Sequence, residues 1–316
     1  MNTKNKVMTF LTLSAGAGAT TVLLNKYIKF SSTSRALMEE PRSLCFKWRL
    51  GNIHYTKCGT GKPILLIHDL TFSSSGYEWN QLVYKLKSYY TVYTIDLLGC
   101  GRSEKPNLTY TNYLYVQLLC DFIKSEIGHR TDIIATGASS ALAIMACNNN
   151  AELFDRLMLI NPESFSGCSQ VPGKNAKLYK LILDLPIIGT LLYHIASNKT
   201  FIENRFREAY FYNPYSAKPA YIDHYFESAH LGDCPKAIFS SLECNYTKCN
   251  ILNALKKIDN SIFIVGGAEE TSIDSIINEY KTNNSAIESS LIPKTKHLPQ
   301  LESPECVLEL ITMFFS

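Results

Sequence analysis

The sequence predicts an α/β domain in which a mostly parallel, doubly wound sheet is interrupted late in the chain by a helical insertion. Three observations carry that expectation. From about residue 44, short apolar runs alternate with amphipathic stretches. The runs are nearly continuous in apolar residues, as strands buried on both faces require. Between about residues 163 and 246 the strand rhythm stops, and afterwards it resumes.

LCFKWRL and NIHYTKC flank Gly51-Asn52 and read as a hairpin. PILLIHD is a buried strand, followed by a helix-like stretch around Trp79 to Tyr89 and the strand TVYTID. NYLYVQLLCDFIKSEIG carries apolar residues at helical spacing. DIIATG, SALAIMACNNN and RLMLINP continue as strand, helix and strand. This alternation implies a parallel sheet with helices on both faces, and sites in such sheets lie beyond the carboxyl ends of the strands. KLYKLILDLPIIGTLLYHI, ENRFREAYFY and IDHYFESAH then read as helices punctuated by Pro186, Pro214, Pro219 and Pro235, before SIFIVGG and AIESSLIP restore the strand pattern. The expected organisation is a core of residues 44–162 and 247–316 with a helical cap at 163–246.

With 316 residues, 46% of them apolar, the chain can bury a sizeable core. A net charge of only +3 gives no basic footprint, so no nucleic-acid partner is expected. Ten cysteines show no C-x-x-C spacing, and several lie inside apolar runs, such as Cys120 and Cys147. They read as buried free thiols, with no metal site.

Val7 to Leu24 contain no charge and are flanked by Lys4, Lys6 and Lys26. Eighteen helical residues would span about 27 Å, close to the hydrocarbon thickness. Ala15-Gly-Ala17 and Ala17-Gly-Ala19 are small-residue patterns suited to signal cleavage, whereas the continuing TTVLL favours an uncleaved anchor. Residues 1–30 are thus expected to form an anchor or signal sequence, residues 25–43 a polar tether, and residues 7–24 the membrane contact. Lys26, Lys29, Arg35 and Arg42 follow the segment, which favours a cytoplasmic catalytic body.

The strongest chemical signal is DIIATGASSALAIM, where a strand meets a helix through small residues. A tight strand–turn–helix exposes its central side chain at a helix N-terminus, and that reading makes Ser139 the candidate nucleophile. Together with three other segments, this one resembles the α/β-hydrolase family over roughly residues 44 to 316. LLIHDL is similar to the family's histidine-glycine segment, IDLLGCGRSEKP to its D-x-x-G-x-G-x-S loop, TGASSA to its nucleophile elbow, and KTKHLPQLESPECV to its catalytic-histidine segment.

The resemblance implies an α/β-hydrolase fold with a helical cap and a triad of Ser139, His297 and Glu270, with Glu269 and Asp274 as alternative acids. It implies an oxyanion hole from the N–H groups of Leu70 and Ser140, a structural role for His68, Asp96 and Arg102, and no cofactor or metal. The implied activity is carboxylesterase-like cleavage of an ester or related acyl bond in a small, apolar acyl substrate. Carbon–carbon hydrolysis, acyl transfer, or a non-catalytic receptor or scaffold are the alternatives. Asp69 replaces the family's usual glycine and is expected to point away from the site, because a carboxylate opposes a developing oxyanion. Dehalogenase or epoxide hydrolase chemistry needs a carboxylate nucleophile and is not expected with serine at position 139.

Overall fold

The computed structural model describes residues 3–39 and 43–316, with side chains described from residue 18 onward. Helix α1 (Thr3–Thr33) precedes an eight-stranded sheet. The strands are β1 (Leu44–Trp48), β2 (Gly51–Cys58), β3 (Lys62–Ile67), β4 (Tyr90–Ile95), β5 (Thr131–Thr136), β6 (Phe154–Ile160), β7 (Ile262–Gly267) and β8 (Glu288–Ile292). Their order is β1-β2-β4-β3-β5-β6-β7-β8, with β1 and β2 antiparallel and all later pairs parallel. The α/β-hydrolase fold expected from the sequence is therefore present.

Alternation along the buried strands sends side chains to opposite faces. Leu65, Ile67, Ile133, Ala135, Leu157 and Leu159 face one cluster, with α3 (Asn112–Phe122) and α4 (Ser139–Asn149). Ile64, Leu66, Ile134, Met158 and Ile160 face the other, with Trp79 and Leu82 around α2 (Asn80–Leu86). Both faces are covered, which is why the runs show no polar alternation. The winding reverses where β3 lies between β4 and β5, with Ile67 opposite Ala135. The loops leaving β3 and β5 consequently emerge side by side at the switch point, where crevices form in such sheets.

Between β6 and β7 run only helices and turns: α5 (Phe165–Cys168), α6 (Ala176–Asp184), α7 (Ile188–Ala196), α8 (Lys199–Arg205), α9 (Pro219–His230), α10 (Pro235–Glu243) and α11 (Leu252–Leu255). Ile202, Phe206, Phe211, Tyr221 and Tyr225 of this insertion pack with Leu298 and Leu301. Leu298 follows His297 directly and Leu301 lies in the short helix after it, so the insertion lies against the site loop. Helices α12 (Ile273–Asn283), α13 (Pro299–Glu302) and α14 (Pro304–Phe315) complete the chain. All ten cysteines are free thiols.

The N-terminal region differs from the expectation. No single helix among the described residues is long and apolar enough to cross a membrane. The side chains of residues 7–17, on which the anchor expectation largely rests, lie outside the described residues, as do tether residues 40–42. Helix α1 continues through the expected tether to Thr33. Its end is held to the insertion: Lys29 Nζ donates to the Gly232 carbonyl at 2.6 Å, and Arg35 pairs with Asp223 at 2.9 Å. The Leu37 and Met38 N–H groups donate to the Glu227 carboxylate at 3.0 and 3.2 Å.

Candidate active site

The turn between β5 and α4 has its apex at Gly137, which takes a left-handed φ of 52°. Ala138 is already helical in conformation and caps α4, which begins at Ser139. Ser139 thus lies in the first helical turn, two residues past the strained position that presents a nucleophile in this kind of elbow. Its side chain is fully buried, and its Oγ donates to the His68 carbonyl at 2.6 Å. The structure does not bring Ser139 to His297.

The group that reaches the elbow is Asp69, on the loop after β3. Its carboxylate fills the space above Gly137, where a Cβ would collide with it. Asp69 Oδ1 accepts the Ala138 N–H at 2.9 Å, and Oδ2 accepts His297 Nε2–H at 3.0 Å. The expectation that Asp69 points away is therefore corrected. An absent side chain at position 137 leaves room for it, and a helix N-terminal N–H with a facing imidazole offsets the cost of its burial.

His297 sits in a sandwich of partners. On its far side Nδ1 faces Glu270 Oε2 at 3.7 Å, longer than a hydrogen bond. Glu270 Oε2 is buried without a hydrogen-bond partner among the described residues, so its interaction with the ring is one of charge. Glu269 and Asp274 are exposed and form no ion pair or hydrogen bond with His297 among the described residues. The Tyr210 ring, from the insertion, stacks on the imidazole with centroids 5.4 Å apart.

The expected oxyanion donors divide. The Ser140 N–H donates to the Gly137 carbonyl at 3.1 Å and is already used in the turn. Ala138, the residue after the apex, takes the place assigned to Ser140. The Leu70 N–H makes no hydrogen bond among the described residues and stays available beside Asp69. His68 fixes this loop: its Nε2 accepts the Leu97 N–H at 3.0 Å, so Nδ1 carries the proton donated to the Asp69 carbonyl at 2.7 Å. Asp96 binds the Gly76 N–H and the Arg102 backbone and guanidinium, a structural arrangement.

Two buried residues escaped the sequence reading. Glu78 backs the site, accepting from the Asp69 N–H at 3.2 Å, Thr136 Oγ1 at 3.0 Å and the Tyr225 hydroxyl at 2.9 Å. Burial, reinforced by the Asp69 charge, pushes its carboxyl up to about 7. Asn161, just past β6, donates Nδ2 to the Lys296 and His297 carbonyls at 2.8 and 2.9 Å and accepts the Gly267 N–H at 2.9 Å. It clamps the His297 loop to the end of β7. Its only sequence signal was its place at the end of a strand, with a left-handed φ of 45° that asparagine tolerates. Replacing it by alanine strands three backbone groups. Asn161→Ala is expected to cost about 2–3 kcal/mol in urea unfolding, set by buried groups left unpaired, and to slow turnover through a loosened His297.

Charge settles on both partners. Burial alone pushes His297 down, but the Asp69 hydrogen bond and charge outweigh it and the imidazole is held above its ordinary value of 6.5. Burial pushes Asp69 up, yet the His297 hydrogen bond and charge pull it below 3.8. Both directions favour the charged pair, imidazolium with carboxylate. Its contribution to stability is lost as pH falls through the depressed Asp69 value, and lost again as pH rises through the raised His297 value. In Asp69→Asn the balance moves downward, because burial remains and the largest counter-charge is gone, with only the Glu270 and Glu78 charges left. Proton NMR titration should place His297 above 6.5 in the wild type and lower in the variant.

A cavity of about 170 Å³ adjoins the site, lined in part by Leu70, Phe72, Ile202, Arg205 and Tyr210. At about 30 Å³ per water, it has room for a small molecule. Among the described residues no group of side chains could hold a metal ion.

Comparison with known proteins fits this geometry. The model of the family described as "Alpha/beta hydrolase family" matches residues 64–309. A 2-hydroxy-6-oxo-6-(2'-aminophenyl)hexa-2,4-dienoic acid hydrolase of Metapseudomonas resinovorans is 29% identical over 34% of this chain and 37% of its own length. A soluble epoxide hydrolase of Corynebacterium sp. is 27% identical over the same shares. The chain thus matches little more than a third of the length of these curated relatives. Among solved structures, Cfl2 from Burkholderia cenocepacia superposes with a TM-score of 0.72 at 16% identity, covering 88% of this chain and 98% of that one. The epoxide hydrolase CorEH superposes with a TM-score of 0.69 at 20% identity, covering 86% and 98%. The sheet order, the elbow between β5 and α4 and a family match over most of the residues that build them lead to one conclusion: the chain belongs to the alpha/beta hydrolase family.

Proposed function

We propose that this hydrolase acts through a carboxylate nucleophile, Asp69, supplied from the loop after β3 to the place that an elbow side chain would fill. The observation that carries the reading is the position of the Asp69 carboxylate above Gly137, hydrogen-bonded to Ala138 N–H and to His297 Nε2. The serine esterase chemistry implied by the resemblance needs Ser139 Oγ at His297 Nε2. That hydroxyl is committed to the His68 carbonyl, and Nε2 is taken by Asp69.

A carboxylate attacks an sp³ carbon bearing an oxygen or halide leaving group, which favours an epoxide or related alkyl electrophile over an acyl substrate. Asp69 Oδ2 forms an ester with that carbon as the carbon–oxygen bond of the epoxide breaks. Protonated His297 gives its proton to the departing oxygen. Now neutral, the imidazole takes a proton from water, and the hydroxide adds to the Asp69 ester carbonyl. The oxyanion on Oδ1 lies against the Ala138 N–H, with Leu70 N–H next in the chain. Collapse expels the second alcohol as an alkoxide that takes the proton of the added hydroxyl, which releases the diol, restores the carboxylate and leaves His297 protonated. Glu270 steadies the imidazolium by charge from the Nδ1 side.

The discriminating assay compares styrene oxide with p-nitrophenyl acetate, using wild type and Asp69→Asn. Turnover of the epoxide that Asp69→Asn abolishes is the expected result. Ester turnover accompanied by fluorophosphonate labelling of Ser139 would overturn the reading.

A further inference from the structure

The insertion exposes an apolar surface that the site does not use. On α6, α7 and the link between them, Leu178, Leu181, Leu185, Ile188 and Ile195 are exposed, four of them by more than half of their surface. Leu23, Tyr27 and Phe30 of α1 are exposed as well. Aliphatic side chains crowded in this way on one face mark a docking surface rather than ordinary surface scatter. The two elements are neighbours. A cavity of about 210 Å³ is lined by Val22, Lys26 and Lys29 of α1 and by Pro186, Thr190 and Tyr193 around α7.

Helices α6 and α7 meet at 96°, each too short to cross a bilayer, so an apolar face built on them lies along a surface. The charge on α6 and α7 leans basic, with Glu243 and Asp233 at the margins of the two cavities. Residues 171–199 hold four lysines against a single carboxylate, Asp184, which Lys180 neutralises at 2.8 Å. Lys199 is paired with Asp223 of α9. Lys174 and Lys177 are exposed and make no ion pair among the described residues. Exposed aliphatics rimmed by unpaired lysines complement a membrane of apolar tails and anionic headgroups.

The same face opens inward. A cavity of about 760 Å³ between α6, α7 and α10 is lined by Lys174, Ile182, Leu183, Leu192 and Phe239. Glu243 at the end of α10 lines both this cavity and the 170 Å³ cavity beside Leu70.

We propose that the α6–α7 face, together with α1, docks this enzyme on an anionic bilayer and admits an apolar electrophile from the lipid phase through the α6–α10 cavity. The uptake half rests on the epoxide-type chemistry proposed above; the docking half does not. The test is co-flotation of the full chain with phosphatidylcholine vesicles, with and without phosphatidylserine. Binding should be tighter with phosphatidylserine and weaken with salt. Leu181→Glu/Ile188→Glu should lower binding at least about tenfold, since each removes a buried aliphatic contact. Its thermal melt and its turnover of water-soluble propylene oxide should stay unchanged. Lys174→Glu/Lys177→Glu should abolish the preference for phosphatidylserine. Vesicle binding unaffected by Leu181→Glu/Ile188→Glu would overturn the proposal. So would a chain that stays in the aqueous phase and forms a dimer that those substitutions dissolve, which would make the face a subunit interface. Vesicle binding with no epoxide turnover would leave the docking intact and discard the uptake and the chemistry.

Discussion

Asp69→Asn is expected to abolish turnover, with a loss of about 10⁴-fold or more, the size typical of removing a nucleophile that acts as part of a unit. Ser139→Ala is expected to change it less than about threefold, because that hydroxyl is a buried donor to one carbonyl and its loss is a matter of stability. The contrast reverses what the local motif alone suggests. It follows from the two-residue offset between the strained apex at Gly137 and the first helical residue, Ser139. The asparagine keeps the volume and the Ala138 N–H bond of Asp69, so the variant should fold. A rate drop would then report lost nucleophilicity and not a collapsed site. The His297 titration described above provides the control, since the imidazole value must fall when its counter-charge is removed.

Moving the carboxylate back to the elbow should have the second large effect. Gly137→Asp alone crowds a second carboxylate against Asp69 and should be inactive and destabilised. Asp69→Gly alone lacks the reactive group and should be inactive. Asp69→Gly/Gly137→Asp relieves the clash and returns a carboxylate to a left-handed position that aspartate tolerates. The double variant should regain at least about 10²-fold over either single one, a coupling of neighbours far outside additivity. Steady-state rates on one epoxide for the four proteins close the cycle. A double variant no better than Asp69→Gly would mean that the two positions do not share one site.

Much of this was legible in the residues. The continuous apolar runs announced strands covered on both faces, and the break after RLMLINP announced the helical insertion. The segment around His297 was found because KTKHLPQLESPECV resembles the family's catalytic-histidine segment. Glu270 was preferred to Glu269 and Asp274 on the resemblance to the family, and Glu270 Oε2 faces His297 Nδ1 at 3.7 Å while Glu269 is exposed. The register of the elbow was not legible. TGASSA offers a small residue at every position around Ser139, and only the φ of Gly137 identifies the apex. Asp69 was read from the charge cost near an oxyanion. That argument omitted the vacancy over a glycine and the facing imidazolium, both of which are properties of the assembled site. Glu78 and Asn161 act through partners far away in sequence, such as Tyr225 and Gly267, so no local pattern could mark them. The anchor expectation rested on the uncharged run at residues 7–24, whose side chains lie largely outside the described residues.

The central claim, that Asp69 forms a bond to the substrate, is tested most directly by oxygen-isotope transfer. The enzyme is run in ¹⁸O-water, first in a single turnover with enzyme in excess and then over many turnovers, and the peptide carrying Asp69 is weighed. If Asp69 is the nucleophile, the single-turnover diol carries unlabelled oxygen from the protein, and the Asp69 peptide gains ¹⁸O from the water that cleaves the ester. If Asp69 and His297 only activate water, the first diol carries ¹⁸O and the Asp69 peptide keeps its mass, and the carboxylate-nucleophile account is wrong.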